Sequence, residues 1–478
     1  MPNTVRSSFL IIVFLILIGT DTRANGFEIS FGGQGTQVCN AIAIGSDSMI
    51  YMLGYTSDGP LGMNDFMLAK VTMDGTLLWT QFLGSSDAEL GTSIVFDQQG
   101  RLVLAGNLFD PFNGTQVLVI IADTAGNQIT QYTYGTPDNE NISSIRNTPD
   151  GGYVLSGFQS INSINHSYIL KLDSAFNESW SSAQSAGIND YATDAIMHSG
   201  SYVYAATDRR FDLGGGNLDY DVCVVRTDSV GNFISDSSYF DPFQNGTQAI
   251  IERADGSIVV CGETEIFLFS PFEYFIMAFD TATGLLWRKT FGGPGANAMF
   301  DVVEDSNGNL IGTGYGNTTS AGVDPINLTI IKTDDQGNML WQREFGGPSI
   351  DIGYSIRIAP DGSYIAGGQT TIPGDINFYL VKTDTSGFIT GDPELVDLNN
   401  DIQIYPNPVS HNSRFIAPGS FDRLRIMDVT GRVLLDKTMS GRPEIPYTLP
   451  FTENMKGLVL LELSNSNNAV YRKKLLVR

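Results

Sequence analysis

The chain repeats one plan seven times, and this repetition limits its possible folds more than any other feature. The repeats begin at Phe31, Phe82, Tyr134, Ala183, Tyr239, Phe291 and Phe345. Each repeat has four short runs rich in Val, Ile, Tyr and Phe, separated by turns of Gly, Asn and Asp. Such residues favour pleated strands and tight turns. Because no stretch keeps a helical period of 3.6 residues, the sequence predicts an all-β fold.

Four strands in each of seven long repeats are typical of a seven-bladed β-propeller. A solenoid is the alternative, although its repeats are usually shorter. The run GTQVCNAIAIGSDSMIYMLGYTSDGPLGMNDFMLAKVTMDG, from Gly35 to Gly75, resembles the bacterial seven-bladed propeller repeat family, and the match extends from Phe31 to Glu394. This resemblance implies the fold and no particular activity. We expect the propeller to occupy residues 25–394.

A strand-like segment, Gly26–Ser30, precedes the first repeat, whereas the seventh repeat ends in the weak run FITGDPEL. We expect Gly26–Ser30 to supply the missing fourth strand of blade seven. Closure of this kind ties the two ends of the ring together and leaves few free strand edges.

Two residue types recur at fixed places in the repeats. Gly54, Gly157, Gly262, Gly314 and Gly368 each follow their repeat start by 23 residues. A glycine there predicts a close backbone approach or a bulge at the end of the second strand. Trp79, Trp180, Trp287 and Trp341 all lie on the fourth run. We expect them to pack between blades, with a stack around a cofactor as the alternative.

The first 24 residues have the pattern of a secretory signal peptide. Arg6 precedes an apolar stretch from Phe9 to Gly19, and small residues follow near Ala24. The stretch is too short to span a bilayer as a stable anchor. We therefore expect an exported protein with no transmembrane segment in the mature chain.

After a linker at residues 395–400, residues 401–478 show four strand-like stretches, starting with IQIYPNPVSHNSRF from Ile402. LRIMDVTGRVLLDKT, GLVLLELSN and AVYRKKLLVR follow. Strands around hairpin turns predict a small Ig-like β-sandwich. The order YPNP, then D-x-x-G-R, then a GLV strand, then a basic end resembles the type A C-terminal sorting domain of the type IX secretion system.

This resemblance implies a partner and a route. Such domains direct passage across the outer membrane of Bacteroidota through the type IX secretion machinery, and they are typically removed there. The passenger is then attached to the surface or released, so the resemblance implies an extracellular protein or one on the outer-membrane surface of a Gram-negative bacterium. The positions that match the sorting signal are Tyr405, Pro406, Asn407, Pro408, Asp428, Gly431, Lys473 and Lys474.

Charge is divided unevenly along the chain. From Asp397 onward there are 11 Lys and Arg against 8 Asp and Glu, whereas the preceding residues carry 16 against 44. An acidic propeller repels phosphates, which argues against a nucleic-acid partner.

Three cysteines, Cys39, Cys223 and Cys261, lie in three different repeats and in apolar runs. An odd count leaves at least one thiol free. We expect buried single thiols, and a disulfide between blades four and five is the alternative.

A binding surface is expected on the face that carries the second-to-third loops and the blade connections, because these vary in length while the other turns are short. Loops of blades four and five carry the candidate ligand residues Phe211, Tyr220, Phe267, Phe269, Phe272 and Tyr274. Clustered aromatic side chains in loops favour a recognition patch, for example for sugar rings. The alternative is that blade five has longer strands and buries them.

No catalytic, cofactor or metal site is indicated. The three histidines, His166, His198 and His411, lie in different regions, and the sequence has no GxSxG, HExxH or zinc spacing. Our first hypothesis is a non-enzymatic propeller that binds a glycan or protein. A polysaccharide-acting enzyme using two carboxylates is the second, since many acidic residues are present, and a structural adhesion protein is the third.

Overall fold

The computed structural model describes residues 26–184, 189–212, 218–239, 244–266, 270–280, 284–293, 295–317, 326–347, 349–372, 374–389, 403–405, 414–416, 421–428, 432–441, 446–448, 457–464 and 470–477. For residues 208–212 and 218–219 the backbone alone is described. The chain divides into two compact units, Met1–Gly391 and Asp392–Arg478. All regular structure in the described residues is β-strand, as the sequence predicts.

The described residues of the first unit form 28 strands, beginning with β1 (Phe27–Phe31). Blade one contains β2 (Gln37–Ile44), β3 (Met49–Thr56), β4 (Asp65–Thr72) and β5 (Leu77–Leu83). Blade two contains β6 (Ala88–Phe96), β7 (Leu102–Asp110), β8 (Gly114–Ala122) and β9 (Gln128–Tyr134). Blade three contains β10 (Asn139–Asn147), β11 (Tyr153–Ile161), β12 (Ile164–Leu172) and β13 (Glu178–Gln184). Blades four to seven are β14 (Asp190–His198), β15 (Ser201–Asp212), β16 (Leu218–Thr227), β17 (Phe233–Tyr239); β18 (Asn245–Glu252), β19 (Ile258–Thr264), β20 (Glu273–Asp280), β21 (Gly284–Phe291); β22 (Ala298–Glu304), β23 (Leu310–Gly316), β24 (Asn327–Thr333), β25 (Met339–Phe345); β26 (Asp351–Ile358), β27 (Tyr364–Ile372) and β28 (Asp375–Thr383).

These strands form seven antiparallel four-stranded sheets. Six sheets use four consecutive strands, whereas the seventh has the order β1-β28-β27-β26. Phe27 pairs with Lys382 and Phe31 pairs with Phe378. The expected closure strand is therefore present, and the first unit is a seven-bladed β-propeller.

The first strand of every blade carries a bulge opposite the repeated small residue. Gly54 pairs with Cys39 at the bulge of blade one, and Gly314 pairs with Met299 in blade six. A Cβ on Gly54 would overlap the carbonyl oxygen of Val38. The glycine thus makes room for the bulged strand, as the sequence predicts, and Ala206 takes this place in blade four.

Aromatic rings on the fourth strands join neighbouring blades. Trp79 packs against the core shared by blades one and two, and a Cβ on Gly126 in the next blade would lie 2.9 Å from its ring. The other three tryptophans meet the equivalent turn glycine of the next blade in the same way, at Gly231, Gly337 and Gly387. Phe27 of β1 occupies the corresponding position against Gly75 of blade one. The inter-blade role expected for tryptophan is therefore confirmed.

The core consists of apolar clusters between successive blades, made of the alternate side chains of adjoining sheets. Cys39, Cys223 and Cys261 are buried within it and form no disulfide with one another, as expected. Burial raises the pKa of the Cys39 thiol far above its ordinary value, which leaves it protonated and unreactive.

The second unit has two sheets. One contains β29 (Gln403–Tyr405), β30 (Arg414–Ile416) and β33 (Pro446–Thr448), and the other contains β31 (Phe421–Asp428), β32 (Val433–Gly441), β34 (Gly457–Ser464) and β35 (Val470–Val477). Phe415 and Tyr447 of the first sheet contact Phe421 of the second, with ring centroids 5.8 and 5.4 Å away. The Ig-like arrangement stays a prediction.

Candidate functional site

The bulges point one unpaired residue of each first strand towards the axis of the propeller. These seven residues are Asn40, Thr92, Ser143, Thr193, Gln248, Phe300 and Tyr354. All of them line a central cavity of about 330 Å³. Five are polar and two are aromatic, so the channel wall is uneven around the ring.

Two aspartates in this channel clasp neighbouring blades. Asp194 of blade four accepts hydrogen bonds from Ser144 Oγ at 2.5 Å and from the backbone nitrogen of Ile250 at 3.2 Å. It also forms an ion pair with Arg146 at 2.5 Å. Both carboxylate oxygens are thereby engaged, and the three contacts join blades three, four and five.

Asp301 of blade six joins its blade to blade seven in a similar way. It accepts hydrogen bonds from the backbone nitrogen of Ile356 at 2.9 Å and from Ser355 Oγ at 3.2 Å. Arg357 completes the arrangement with an ion pair at 2.7 Å. Hydrogen bonds between charged groups and from backbone donors to a carboxylate are among the stronger ones. These two aspartates therefore serve as structural clasps between neighbouring blades.

A second cavity, of about 360 Å³, opens between blades four and five beside the channel. We call it the blade 4–5 pocket; it is lined by Tyr191, Thr193, Thr207, Tyr220, Gln244, Asn245, Gly246, Thr247, Gln248, Glu263 and Phe272. These residues lie at the starts of first and third strands, at the ends of second strands and in loops between them. All of these positions belong to the variable-loop face. Thr193 and Gln248 also line the channel, so the two cavities adjoin.

Tyr220, which lies in β16 and not in the predicted loop, and Phe272, in the loop before β20, are both anchored through their backbone carbonyls. The Tyr220 carbonyl accepts a hydrogen bond from Asn245 Nδ2 at 3.3 Å. The Phe272 carbonyl accepts one from Asn297 Nδ2 at 3.1 Å. Buried asparagines of the following blades thus fix where the two rings stand.

Three threonine hydroxyl groups line the inner wall of the pocket. Thr247 Oγ1 lies 3.0 Å from Thr207 Oγ1 and 3.2 Å from Thr193 Oγ1. Each hydroxyl can both donate and accept. The wall therefore offers hydrogen-bonding groups of both kinds to a polar ligand.

Glu263 is the acidic group of the pocket. Its carboxylate oxygens accept hydrogen bonds from Gln248 Nε2 at 3.1 and 3.2 Å. Desolvation raises the pKa of Glu263 to about 7, against the smaller lowering by Gln248. The carboxyl group therefore changes its protonation near neutral pH, which allows it to donate or to accept hydrogen bonds.

Of the six predicted ligand residues, the pocket brings together Tyr220 and Phe272. Phe211 lies in β15 beside its pairing partner Asp219, with its side chain outside the described residues. Phe267 and Phe269 lie outside the described residues.

The prediction for Tyr274 is wrong. β20 begins at Glu273, so Tyr274 lies inside the third strand of blade five and not in the preceding loop. Its side chain is fully buried in the core between blades five and six. It is therefore unavailable to a ligand, and the alternative of longer strands with buried aromatics applies to this residue.

Sequence reasoning missed Glu263, Gln248 and the three threonines. A signal for Glu263 exists, because it directly follows the repeated glycine Gly262, whereas Tyr55 and Tyr315 hold this place in blades one and six. An acidic residue there departs from the repeat. Gln248 could not be singled out, since the bulge that turns it towards the channel is not visible in the sequence.

The predicted sorting residues lie in or beside strands of the second unit. Tyr405 pairs with Arg414, and Asp428 pairs with Val459. Lys473 and Lys474 pair with Leu461 and Leu460. Pro406, Asn407, Pro408 and Gly431 lie outside the described residues.

The described part of the chain contains no helix of the length and apolar character that a membrane crossing requires. It also contains no group of three or more His, Cys, Asp or Glu side chains placed to hold a metal ion.

Comparison with known proteins identifies the C-terminal segment. Residues 403–478 match the secretion system C-terminal sorting domain. No curated protein matches the sequence. Among solved structures, PorZ, a surface component of the type-IX secretion system of Porphyromonas gingivalis, is 13% identical with a TM-score of 0.41. The match covers 91% of this chain and 58% of PorZ.

Two other solved structures are similarly distant. The Dos1 propeller is 11% identical with a TM-score of 0.44, and the match covers 73% of this chain and 94% of that one. Drosophila Semaphorin 2a is 8% identical with a TM-score of 0.48, covering 95% and 98%. Similarities this weak carry no information on function. The chain is thus a seven-bladed β-propeller followed by a secretion system C-terminal sorting domain, which implies contact with the type IX machinery and export to the cell surface or extracellular space.

Proposed function

We propose that this protein is a non-enzymatic, surface-exposed or released binding module that holds an uncharged glycan in the blade 4–5 pocket. The observation that carries the proposal is the meeting of Tyr220 and Phe272 with Glu263 and Gln248 in one cavity on the variable-loop face. Aromatic rings cover the apolar faces of sugars, while hydroxyl, amide and carboxyl groups pair with their hydroxyls.

The charge of the molecule supports an uncharged ligand. The residues before Asp397 carry 44 Asp and Glu against 16 Lys and Arg. A uronic-acid or phosphate-bearing polymer would be repelled by this excess. A neutral sugar avoids the repulsion and still uses every polar group of the pocket wall.

One observation favours the enzymatic alternative, namely that the pKa of Glu263 lies near 7, where a general acid works best. Glycoside hydrolysis also needs a second carboxylate across the bond. The channel aspartates Asp194 and Asp301 are held by Arg146 and Arg357, which argues against that role. Release of reducing sugar from array-selected glycans would favour the enzyme, whereas binding without turnover favours the module.

A glycan array tests the proposal with the purified protein at pH 7. The test variant carries Tyr220→Ala and Phe272→Ala, and the control carries Phe233→Ala, which removes an exposed ring from outer strand β17. We expect neutral glycans to bind the wild type and the control but not the double variant. Unchanged binding by the double variant, or no glycan binding at all, would overturn the proposal and direct the search to a protein ligand.

The route of export has its own test. Deleting Asp397–Arg478 removes the sorting domain, so we expect a truncated protein that still folds but remains in the periplasm. Surface exposure or release of the truncated protein would contradict the type A sorting assignment. Protease accessibility on intact cells provides the measurement.

A further inference from the structure

The two aromatic residues of the channel ring are unusual among its seven equivalent positions. Five blades place Asn40, Thr92, Ser143, Thr193 or Gln248 there, whereas blades six and seven place Phe300 and Tyr354. All seven blades have the same bulge, so the fold does not require an aromatic ring at this point. Large apolar side chains in a water-facing channel therefore call for another explanation.

Phe300 and Tyr354 belong to a larger aromatic group. The ring of Phe300 lies 5.1 Å from that of Tyr354 and 5.8 Å from that of Tyr315. Tyr55 of blade one is close enough to Tyr354 to help raise the pKa of its hydroxyl, after the larger effect of burial. We call these four residues the aromatic arc; it runs across blades six, seven and one. All four side chains are half-buried, so each keeps part of its surface open.

The arc begins where the blade 4–5 pocket ends. Tyr315 and Glu263 are close enough that the carboxylate helps to raise the pKa of the Tyr315 hydroxyl, after the larger effect of burial. Glu263 holds Gln248, and Gln248 lines both the pocket and the channel. A continuous surface therefore leads from Tyr220 and Phe272, past Glu263, to Phe300 and Tyr354.

We propose that the aromatic arc is a second sugar subsite, and that the ligand is an extended neutral oligosaccharide spanning the channel mouth. The inference rests on the proposed glycan binding and adds the length of the ligand. One sugar unit occupies the blade 4–5 pocket, and a later unit of the same chain stacks on the arc. The polar groups between them, Glu263 and Gln248, meet the hydroxyls of the intervening unit.

The test compares ligand lengths in a variant designed to fold. Phe300→Thr and Tyr354→Asn together install residues that blades two and one already use at this position, Thr92 and Asn40. The probes are linear tetrasaccharides of glucose, mannose and N-acetylglucosamine with the matching monosaccharides, and calorimetry measures their affinities. Phe233→Ala is the control, and the melting temperature of each variant verifies folding.

We expect the preferred tetrasaccharide to bind the wild type about tenfold more tightly than its monosaccharide, since a stacked ring contributes on that scale. The double variant should lose this advantage and retain monosaccharide affinity. A Phe300→Trp variant should keep the advantage because it retains an aromatic surface.

Three results would overturn the inference. A double variant that keeps the tetrasaccharide advantage would show that the arc does not touch the ligand. Equal loss of both affinities would contradict a separate subsite. Tight monosaccharide binding with no gain from length would leave the pocket as the whole site, whereas absence of any sugar binding to the wild type would overturn the proposed function itself.

Discussion

Gln248 donates its side-chain amide to both carboxylate oxygens of Glu263, at 3.1 and 3.2 Å, where the blade 4–5 pocket meets the central channel. The equivalent position in blade seven is Gln369, so this place in the repeat accepts a neutral side chain. Glu263 is therefore a titratable group at a position where the fold does not require one.

The raised pKa of Glu263 predicts a pH dependence of stability. The folded protein retains the proton up to about pH 7, while the unfolded chain releases it near the ordinary value of 4.5. The folded state is therefore favoured less as pH rises from 4.5 to 7. Glu263→Gln should remove this loss of stability. The melting temperature of the variant, relative to that of the wild type, should therefore rise as the pH goes from 4.5 to 7. For an exposed control, Glu178→Gln, the difference in melting temperature from the wild type should not change with pH. If the difference for Glu263→Gln were equally constant, the raised pKa would be contradicted.

A pair of carboxyl groups lies between blades one and two. Asp65 and Glu89 are fully buried, and among the described residues Asp65 Oδ1 and Glu89 Oε2 have no hydrogen-bond partner. Burial, with a smaller effect of Asp65, raises the pKa of Glu89. The neighbouring blades place an amide opposite the acid at these positions, Gln116 with Glu140.

Glu89→Gln should therefore stabilise the protein at pH 8. The new amide can donate to Asp65, and one buried charge is removed, which should add about 1 kcal/mol, or roughly 2 °C in melting temperature. The gain should shrink as the pH falls and Glu89 becomes protonated in the wild type. A lower melting temperature at every pH would contradict this interpretation.

Phe176 compensates for a missing tryptophan. Blade two has Thr130 where four other blades have tryptophan, and Phe176 of blade three replaces the usual turn glycine with a φ of 65°. Its ring stacks on Tyr153 and Tyr132 at 4.9 and 5.3 Å. The aromatic ring between blades two and three is thus supplied by blade three instead of blade two.

Phe176→Gly should lower the free energy of unfolding by roughly 2–4 kcal/mol, because the loss of a buried ring outweighs the relief of a left-handed backbone. Adding Thr130→Trp should recover part of the loss by restoring the arrangement of the other blades. Urea unfolding measures both variants. No loss in the single variant would contradict the proposed compensation.

Closure of the ring depends on β1. Phe27 packs against Gly75 of blade one, and the Tyr379 hydroxyl donates to Glu28 of the same strand. Deleting Gly26–Ser30 should lower the unfolding midpoint, and Phe27→Ala should lower it less. Phe27→Trp, which copies the other blades, should preserve it. An unchanged midpoint after the deletion would argue against closure by this strand.

The repeat made the fold predictable because each blade reports the same constraints independently. Gly54 and Gly314 indicate the bulges, because the crowded backbone there leaves no room for a side chain. Trp79 indicates the contact between blades, because a large ring is buried there. The closure by Gly26–Ser30 was predictable for the same reason, because the seventh repeat lacks a fourth strand and this strand-like segment lies outside the repeats.

The site was less predictable because it depends on where strands begin and bend. Tyr274 was assigned to a loop, since the run EIFLFSPFEYF has no glycine or asparagine to mark the start of β20 at Glu273. Glu263 owes its shifted pKa to burial beside Gln248, and no sequence pattern encodes the environment that two adjacent blades create together. The sequence names Tyr220 and Phe272 as loop aromatics, but Tyr220 lies in β16, and their meeting in one pocket depends on how blades four and five pack.

The most direct test of the central claim is calorimetric titration of the best neutral glycan from the array into the wild type, Tyr220→Ala and Phe233→Ala at pH 7. Binding at the blade 4–5 pocket predicts that Tyr220→Ala weakens the affinity by about tenfold, or about 1.4 kcal/mol, while Phe233→Ala leaves it unchanged. Equal affinities for all three proteins would contradict the claim that this pocket holds the ligand.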